Sequence, residues 1–403
     1  MLVQFLLKNV LSFKEETILD MTAIPAYKEH EYNLIKHKDE NFLKVAAIYG
    51  ANASGKSNLH QAWTLFQRII VESFNNTADN VGKNRLPAIE KYYAPFSFEE
   101  TSENSEFQII FIDDIFEYRY GFEYNASQIE HEWLYRRNGI TKRTTTIFER
   151  ELSNINFGAS VRRECEKYKK QVPNDALALS FFNKLTLNTD LFKLVYTHSA
   201  MNTLILNSDN CEDIELLKEL LPKLLSKKET KEKLLSFLSS IDTGIRDLDF
   251  DDSEKEVRFY TKHLGQNNVL HSLNLFAESE GTIKSIMIYI FAQTVILNNL
   301  SLFVDELNTK LHPLLLKYII DLFYEPNSEA QLIYTTHDTT LMDKKFFRRD
   351  QIWFVQKDSF GYSNLSSLSD FKVRSDASFE KDYLAGVYGG IPLLKEFSMK
   401  EGD

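Results

Sequence analysis

Eight residues near the start of the chain carry the clearest chemistry. Gly50, Ala51, Asn52, Ala53, Ser54, Gly55, Lys56 and Ser57 follow the spacing G-x-x-x-x-G-K-[ST], with Asn58 next. The glycines let the backbone curl with its N–H groups inward, so that those donors and the start of a following helix cradle phosphates. Lys56 is expected to reach the β- and γ-phosphates of a nucleotide, and Ser57 to hold Mg²⁺. Such a pattern also arises by chance in Gly-rich turns, so its flanks matter. An apolar run over 45–49 precedes it and helix-forming sequence follows it, which is the strand–loop–helix setting the chemistry requires.

Three stretches far downstream complete a hydrolytic site. Ser301 to Val304 is mostly apolar and closes on Asp305 and Glu306. A buried strand would bring Asp305 to its carboxyl edge to orient the Mg²⁺ shell, with Glu306 activating the attacking water. An acidic pair after a strand is common, and it gains meaning only beside a phosphate loop. Thr335, Thr336, His337 and Asp338 end the next apolar run; His337 reads as a sensor of the γ-phosphate, against the plainer reading of a structural histidine. Ser279, Glu280, Gly281 and Thr282 open an apolar helix. They read either as a simple N-cap or as small residues that let helix-terminal donors approach an anion.

The elements that must position these residues follow from periodicity. Strands alternating with helices at 45–75, 283–297, 302–304, from 313, 331–335 and 351–356 predict a mostly parallel sheet with nucleotide at the strands' carboxyl ends. Residues 2–8 and 17–21 read as strands, 25–41 and 75–87 as loops. Residues 107–112, 116–124, 129–136 and 145–150 predict an antiparallel β subdomain. In the second of these, Phe116, Tyr118, Tyr120, Phe122 and Tyr124 alternate with charged residues, which places the aromatics on one face. That stripe is a packed face or, less commonly, a base-stacking platform. Leu216, Leu217, Leu220, Leu221, Leu224 and Leu225, then Leu234, Leu235, Leu238 and Ile241, recur at helical spacing and predict a hairpin or small bundle packed on itself. Pro222 predicts a kink or break. Residues 248–250 and 257–262 read as strands and the stretch after them as a polar linker.

Composition narrows the class. The chain has 403 residues, 43% hydrophobic, enough for a large core. Its two cysteines, Cys165 and Cys211, lack metal spacing and suit a reducing cytosol. No run of 18 apolar residues occurs, so no membrane span is expected. The net charge of −11 weakens, without excluding, a nucleic-acid groove. Basic groups at Arg136–Arg137, Lys142–Arg143, Arg162–Arg163 and Arg348–Arg349 read first as solvated faces.

The order of phosphate loop, Ser279–Thr282, acidic strand and switch histidine resembles the ABC-type ATPase heads of SMC, RecF and OLD proteins. More narrowly, the chain resembles the RloA/AbiL-type abortive-infection ATPases. The resemblance is carried by NVLSF, IYGANASGKSNL, SEGTIK, LFVDELNTKLHP, YTTHD and the stretches RDQIWF, LSDF, YLAG and YGGIP. It implies an α/β ABC-type head with an antiparallel β subdomain and a helical insertion, divided as 1–90, 91–155, 156–245 and 246–403. It implies ATP and Mg²⁺ as ligands, and a homodimer in which Ser279, Glu280 and Gly281 of one subunit face nucleotide held by the other. It further implies a cytoplasmic sensor subunit of an anti-phage system acting on a separate nuclease or toxin. A RecF- or SMC-like DNA-repair ATPase is the alternative, and a scaffold that binds ATP without turnover a third. Asn308 stands where an Asp often follows the catalytic Glu, and no glutamine stands in clear context to coordinate Mg²⁺.

Overall fold

The computed structural model describes residues 1–74, 86–99, 103–207, 211–253, 257–374 and 377–391. Most of the loop expected over 75–87 lies outside these residues, as do Pro392 of the YGGIP stretch and the side chain of Cys211.

A six-stranded sheet organises the site. Its order is Thr203–Asn207, Ser301–Asp305, Gln331–Thr336, Val45–Tyr49, Ile352–Lys357 and Ser363–Ser367. All neighbours are parallel except the last pair, a hairpin. Register sets Thr336 beside Tyr49 and Val304 beside Tyr334. The phosphate loop, the acidic pair and His337 therefore leave the sheet at one rim, where open α/β sheets bind ligands.

Both faces of this sheet are covered, which is why its strands read as continuous apolar runs. Ala46, Ile48, Phe303, Ile333 and Val355 join one core with the helix Lys56–Glu72. Val45, Ala47, Leu302, Val304, Leu332 and Tyr334 join a second core under the helices Glu280–Asn298 and Pro313–Leu322. Glu280–Asn298 is long and apolar enough to cross a membrane by composition. Here it is a core helix, with Ile286, Ile290, Phe291 and Val295 buried.

A seven-stranded antiparallel sheet lies against the other side of helix Lys56–Glu72. Its order is Asn154–Phe157, Thr144–Glu151, Ile129–Asn138, Phe116–Tyr124, Ser105–Asp113, Leu2–Lys8 and Thr17–Asp20. It thus recruits the first two strands of the chain and extends beyond 91–155. Tyr118, Tyr120, Phe122 and Tyr124 are buried in it. Phe66 of the helix stacks on Phe122 at 5.9 Å, and Trp63 on Phe5 at 4.1 Å. Four of the five rings of the stripe form a packed face, each fully buried ring contributing about 1.5–3 kcal/mol; Phe116 is half-buried, with the Arg136 guanidinium over its ring.

Four local expectations need correction. Thr203–Asn207 is a core-sheet strand inside the stretch read as helical. Its apolar run is short, and it is fixed by pairing with Ser301–Asp305 rather than by local pattern. Leu270–Asn274, read as linker, is the outer strand of a three-stranded antiparallel sheet with Ile245–Asp251 and Arg258–Leu264. Its residues are exposed, so no burial pattern marked it. Arg348 is not a solvated face: it is fully buried, pairs with Asp350 at 2.8 Å, and donates to the carbonyls of Ile24, Tyr27 and Glu29. The stretch 25–41, read as a loop, is not one throughout: Leu34–His37 pairs antiparallel with Glu40–Leu43, a short hairpin too brief to show a period, and the Arg348 guanidinium ties only the segment from Ile24 to Glu29 to the core.

The helices Cys211–Leu225 and Lys228–Ser240 bury Leu217, Leu221, Leu234 and Leu238 in the second core, so the leucine repeats pack within the chain. The first of these helices continues through Pro222. Cys165 is buried and unbridged, its thiol pushed up to about 12 by burial.

Candidate nucleotide site

The phosphate loop leaves Tyr49 and reaches the helix at Lys56 through two residues with positive φ, Ala53 at 62° and Gly55 at 116°. A side chain at Gly50 would put its Cβ 2.5 Å from the Val355 carbonyl oxygen. One at Gly55 would meet Ser363 Oγ at 2.3 Å. Both glycines are therefore required by space, and Gly55 also by conformation.

Residues remote in sequence hold the loop. Ser363 Oγ donates to the Ser54 carbonyl at 2.7 Å and lies 2.8 Å from Ser12 Oγ. Ser363 N donates to the Ser12 carbonyl at 2.7 Å. Asn58 Nδ2 donates to Ser12 Oγ at 2.7 Å. Ser12 belongs to the NVLSF stretch, whose resemblance was visible but whose role was not. Nothing in the sequence marked Ser363.

A cleft of about 590 Å³ opens over the loop. It is lined by Asn52, Ala53, Ser54, Gly55, Lys56, Ser57 and Asn58, together with Glu306, His337 and Lys357. The structure thus brings together the loop, the carboxylate and the histidine expected from sequence. Lys357, at the end of its strand, was not anticipated. Among the described residues, no glutamine lines the cleft.

Lys56 is 5% exposed, and its Nζ donates to the carbonyls of Gly50 at 2.8 Å and Ala51 at 2.9 Å. Burial pulls its pKa below the usual lysine value, while Glu306 and Asp305 pull it back up. The two acids are held by one buried hydroxyl: Thr335 Oγ1 accepts from Glu306 N at 2.8 Å and donates to Asp305 Oδ1. Glu306 itself has φ 49°, a left-handed conformation that costs a non-glycine residue about 1 kcal/mol or more. Its carbonyl accepts from Lys284 Nζ at 3.1 Å, and its Oε2 from Thr309 Oγ1 at 3.2 Å. Asn308 Oδ1 accepts from Thr336 Oγ1 at 2.8 Å, and its Nδ2 lies 3.5 Å from His337 Nε2. Asn308 thus stands at the histidine rather than at the carboxylates.

Ser279, Glu280 and Gly281 do not line this cleft. Ser279 Oγ accepts from Thr282 N at 3.1 Å and caps the helix. Glu280 pairs with Lys310 at 3.2 Å. A Cβ on Gly281 would lie 2.9 Å from the Lys310 carbonyl. Within one chain the N-cap reading is what the geometry contains.

The donor set fits a polyphosphate carrying a divalent cation. Lys56, Lys357, Asn52, Asn58 and His337 supply donors around a single acid, and Ser54 Oγ is buried there with no hydrogen-bond partner. Asp305 stands behind Lys56, close enough to act on its charge. A parallel sheet with a phosphate loop, an acidic strand and a switch strand, covered by an antiparallel sheet, defines an α/β ATPase-type domain of the ABC-head class. The family model described as "AAA domain, putative AbiEii toxin, Type IV TA system" matches residues 45–343, and the chain belongs to that family. It is an AAA/ABC-class protein of the RloA/AbiL type.

Solved structures similar to the chain include three SMC heads. One is bound to the C-terminal winged-helix domain of ScpA (14% identity, 95% of this chain and 99% of that chain covered, TM-score 0.43). A second is the SMC head domain from Thermotoga maritima (13%, 91% and 98%, 0.43). The third, with an extended coiled coil, is bound to the C-terminal domain of ScpA derived from Pyrococcus furiosus (14%, 96% and 99%, 0.41). No curated protein matches the chain.

Proposed function

We propose that this protein hydrolyses ATP between two copies of itself, and that the cycle of closing and opening is its output. The observation that carries the reading is the convergence of Lys56, Ser57, Glu306 and His337 on one cleft. Lys56 exchanges the Gly50 and Ala51 carbonyls for the β- and γ-phosphates. Ser57 and Asp305 would hold Mg²⁺, which supplies neutralisation of phosphate charge. Glu306 orients the attacking water and takes its proton. His337, beside Asn308, donates to the γ-phosphate. Ser279, Glu280 and Gly281 of the partner subunit close the other side, presenting helix-terminal donors.

The biological role follows from family analogy: a cytoplasmic sensor or regulator of an abortive-infection system, acting on a separate nuclease or toxin. The outer face of the antiparallel sheet gives little support to DNA binding. Arg137 there lies 3.4 Å from Glu117, and Tyr135 donates to Glu149. The test is ATP binding and turnover by Lys56→Ala. Loss of binding is expected; unchanged affinity would overturn the assignment of the site.

A further inference from the structure

Between the small three-stranded sheet and the helix Glu280–Asn298, the chain buries a carboxylate. Glu278 directly precedes Ser279, yet its side chain is only 9% exposed while Ser279 and Glu280 are exposed. Its Oε1 accepts from Thr261 Oγ1 and lies 2.6 Å from His263 Nε2. Thr261 is fully buried. Both partners belong to the middle strand of the small sheet, Arg258–Leu264. On the other side of Glu278, Leu275 is fully buried in the second core, and the turn between them closes with Glu278 N donating to the Leu275 carbonyl at 3.2 Å. The segment entering the helix is thereby fixed at two points three residues apart, immediately before Ser279 and Glu280, whose own contacts, the N-cap and the ion pair with Lys310, are exposed.

A carboxylate taken out of water is costly unless its oxygens are well bonded. A helix entry could be held by an apolar residue at lower cost. What an apolar residue would not supply is a directional fix, in which two donors converge on one oxygen and set both position and rotation of the following backbone. Ser279 and Gly281 need that fix if their donors are to meet a phosphate held by another molecule, because such donors act only within a few tenths of an ångström of their target.

We propose that Glu278, clamped by Thr261 and His263, is the positioning residue for Ser279, Glu280 and Gly281, and that the small sheet is the mount from which these residues are presented to the second subunit. This rests on the two-subunit reading above. It assigns no contact between Glu278 and nucleotide. The loop, Lys56 and Glu306 of the same chain stay intact when the clamp is broken.

The test uses the full chain. Glu278→Ala is expected to bind a fluorescent ATP analogue within about twofold of wild type, to fail to dimerise with ATP and Mg²⁺, and to lose about 10²-fold in turnover. Glu278→Gln keeps an oxygen acceptor and is expected to restore most of both. Mixing Glu278→Ala with Lys56→Ala separates positioning from general damage. Each is inactive alone, but a mixed dimer contains one complete site: the loop of the first variant with Ser279, Glu280 and Gly281 of the second. Because neither variant dimerises with itself, recovery comes from mixed dimers alone and reaches at most about half of wild-type turnover, one working site of two. Should Glu278→Ala fold poorly, His263→Leu loosens the clamp from its half-exposed side and is expected to show the same split with a smaller loss. Normal ATP-dependent dimerisation by the clamp variants, or no recovery on mixing, overturns the assignment of Glu278. Failure of wild type itself to dimerise with ATP overturns the two-subunit reading, and the clamp's role with it.

Discussion

Replacing Gly55 by alanine attacks the phosphate loop without touching a group that contacts nucleotide through its side chain. Two costs arise. The residue sits at φ 116°, where a side chain is strained by about 1–3 kcal/mol. Its Cβ would also stand 2.3 Å from Ser363 Oγ and 2.9 Å from Ser363 Cβ. Ser363 must then swing away from the Ser54 carbonyl and from Ser12, losing two hydrogen bonds worth about 0.5–1.5 kcal/mol each. The sum is about 2–6 kcal/mol. At about 1.4 kcal/mol per tenfold, Gly55→Ala should weaken ATP binding roughly 30- to 10⁴-fold. The two costs can be separated. Ser363→Gly loses the same two hydrogen bonds without the φ strain, so it should weaken binding roughly 5- to 100-fold by itself and add little to Gly55→Ala, which has already lost them. Titration calorimetry on all four members of the cycle reads this directly, with circular dichroism to confirm folding. ATP affinity unchanged in Gly55→Ala, or fully additive losses in the double variant, would refute the reasoning.

Other consequences are open to measurement. Lys284→Met removes the donor to the Glu306 carbonyl at nearly constant volume; steady-state turnover at saturating ATP should fall about tenfold with little change in affinity, and unchanged turnover would show that Glu306 needs no such support. Arg348→Met leaves Asp350 buried without its partner and should cost about 3–5 kcal/mol in a denaturant titration; a loss below about 1 kcal/mol would contradict the pair's role in fixing the segment from Ile24 to Glu29. Hydrogen bonds from Lys231 and Lys262 hold the Asp249 carboxyl below its ordinary value of 3.8. A depressed acid contributes stability above its unfolded pKa and loses it as pH falls through the folded one. Thermal stability should therefore fall on the acid side of about pH 4, and Lys262→Met, which removes one of those bonds, should show a shallower acid limb.

What the sequence made legible was local chemistry. Gly50–Ser57, Asp305–Glu306 and His337 are each a strand end joined to a loop, and such junctions are written in contiguous residues. The parallel sheet followed because apolar runs alternate with helical periods. The aromatic alternation over Phe116–Tyr124 correctly gave a packed face, since strict period two against a helix such as Lys56–Glu72 leaves little choice. What stayed hidden depends on distance along the chain. Ser12 and Ser363 meet at the loop although 351 residues separate them. Thr203–Asn207 is a strand because Ser301–Asp305 offers it an edge. Leu270–Asn274 is a strand with no buried face to show in its pattern. Arg348 looked like a surface charge because its partners, Asp350 apart, are backbone carbonyls, which sequence does not display. The anchors of Glu306 were hidden for the same reason: Thr335 and Lys284 act on backbone groups.

The central claim is that the cleft over Gly50–Ser57 is half of a composite site. Glu306→Gln keeps the shape of the side chain and removes the group that takes the proton, so it should stall the cycle with ATP bound. Sedimentation of this variant with saturating ATP and Mg²⁺ is the most direct measurement. The account predicts a stable dimer that returns to monomer when ATP is withdrawn or Lys56→Ala is added to the same chain. A monomer under saturating ATP would contradict it.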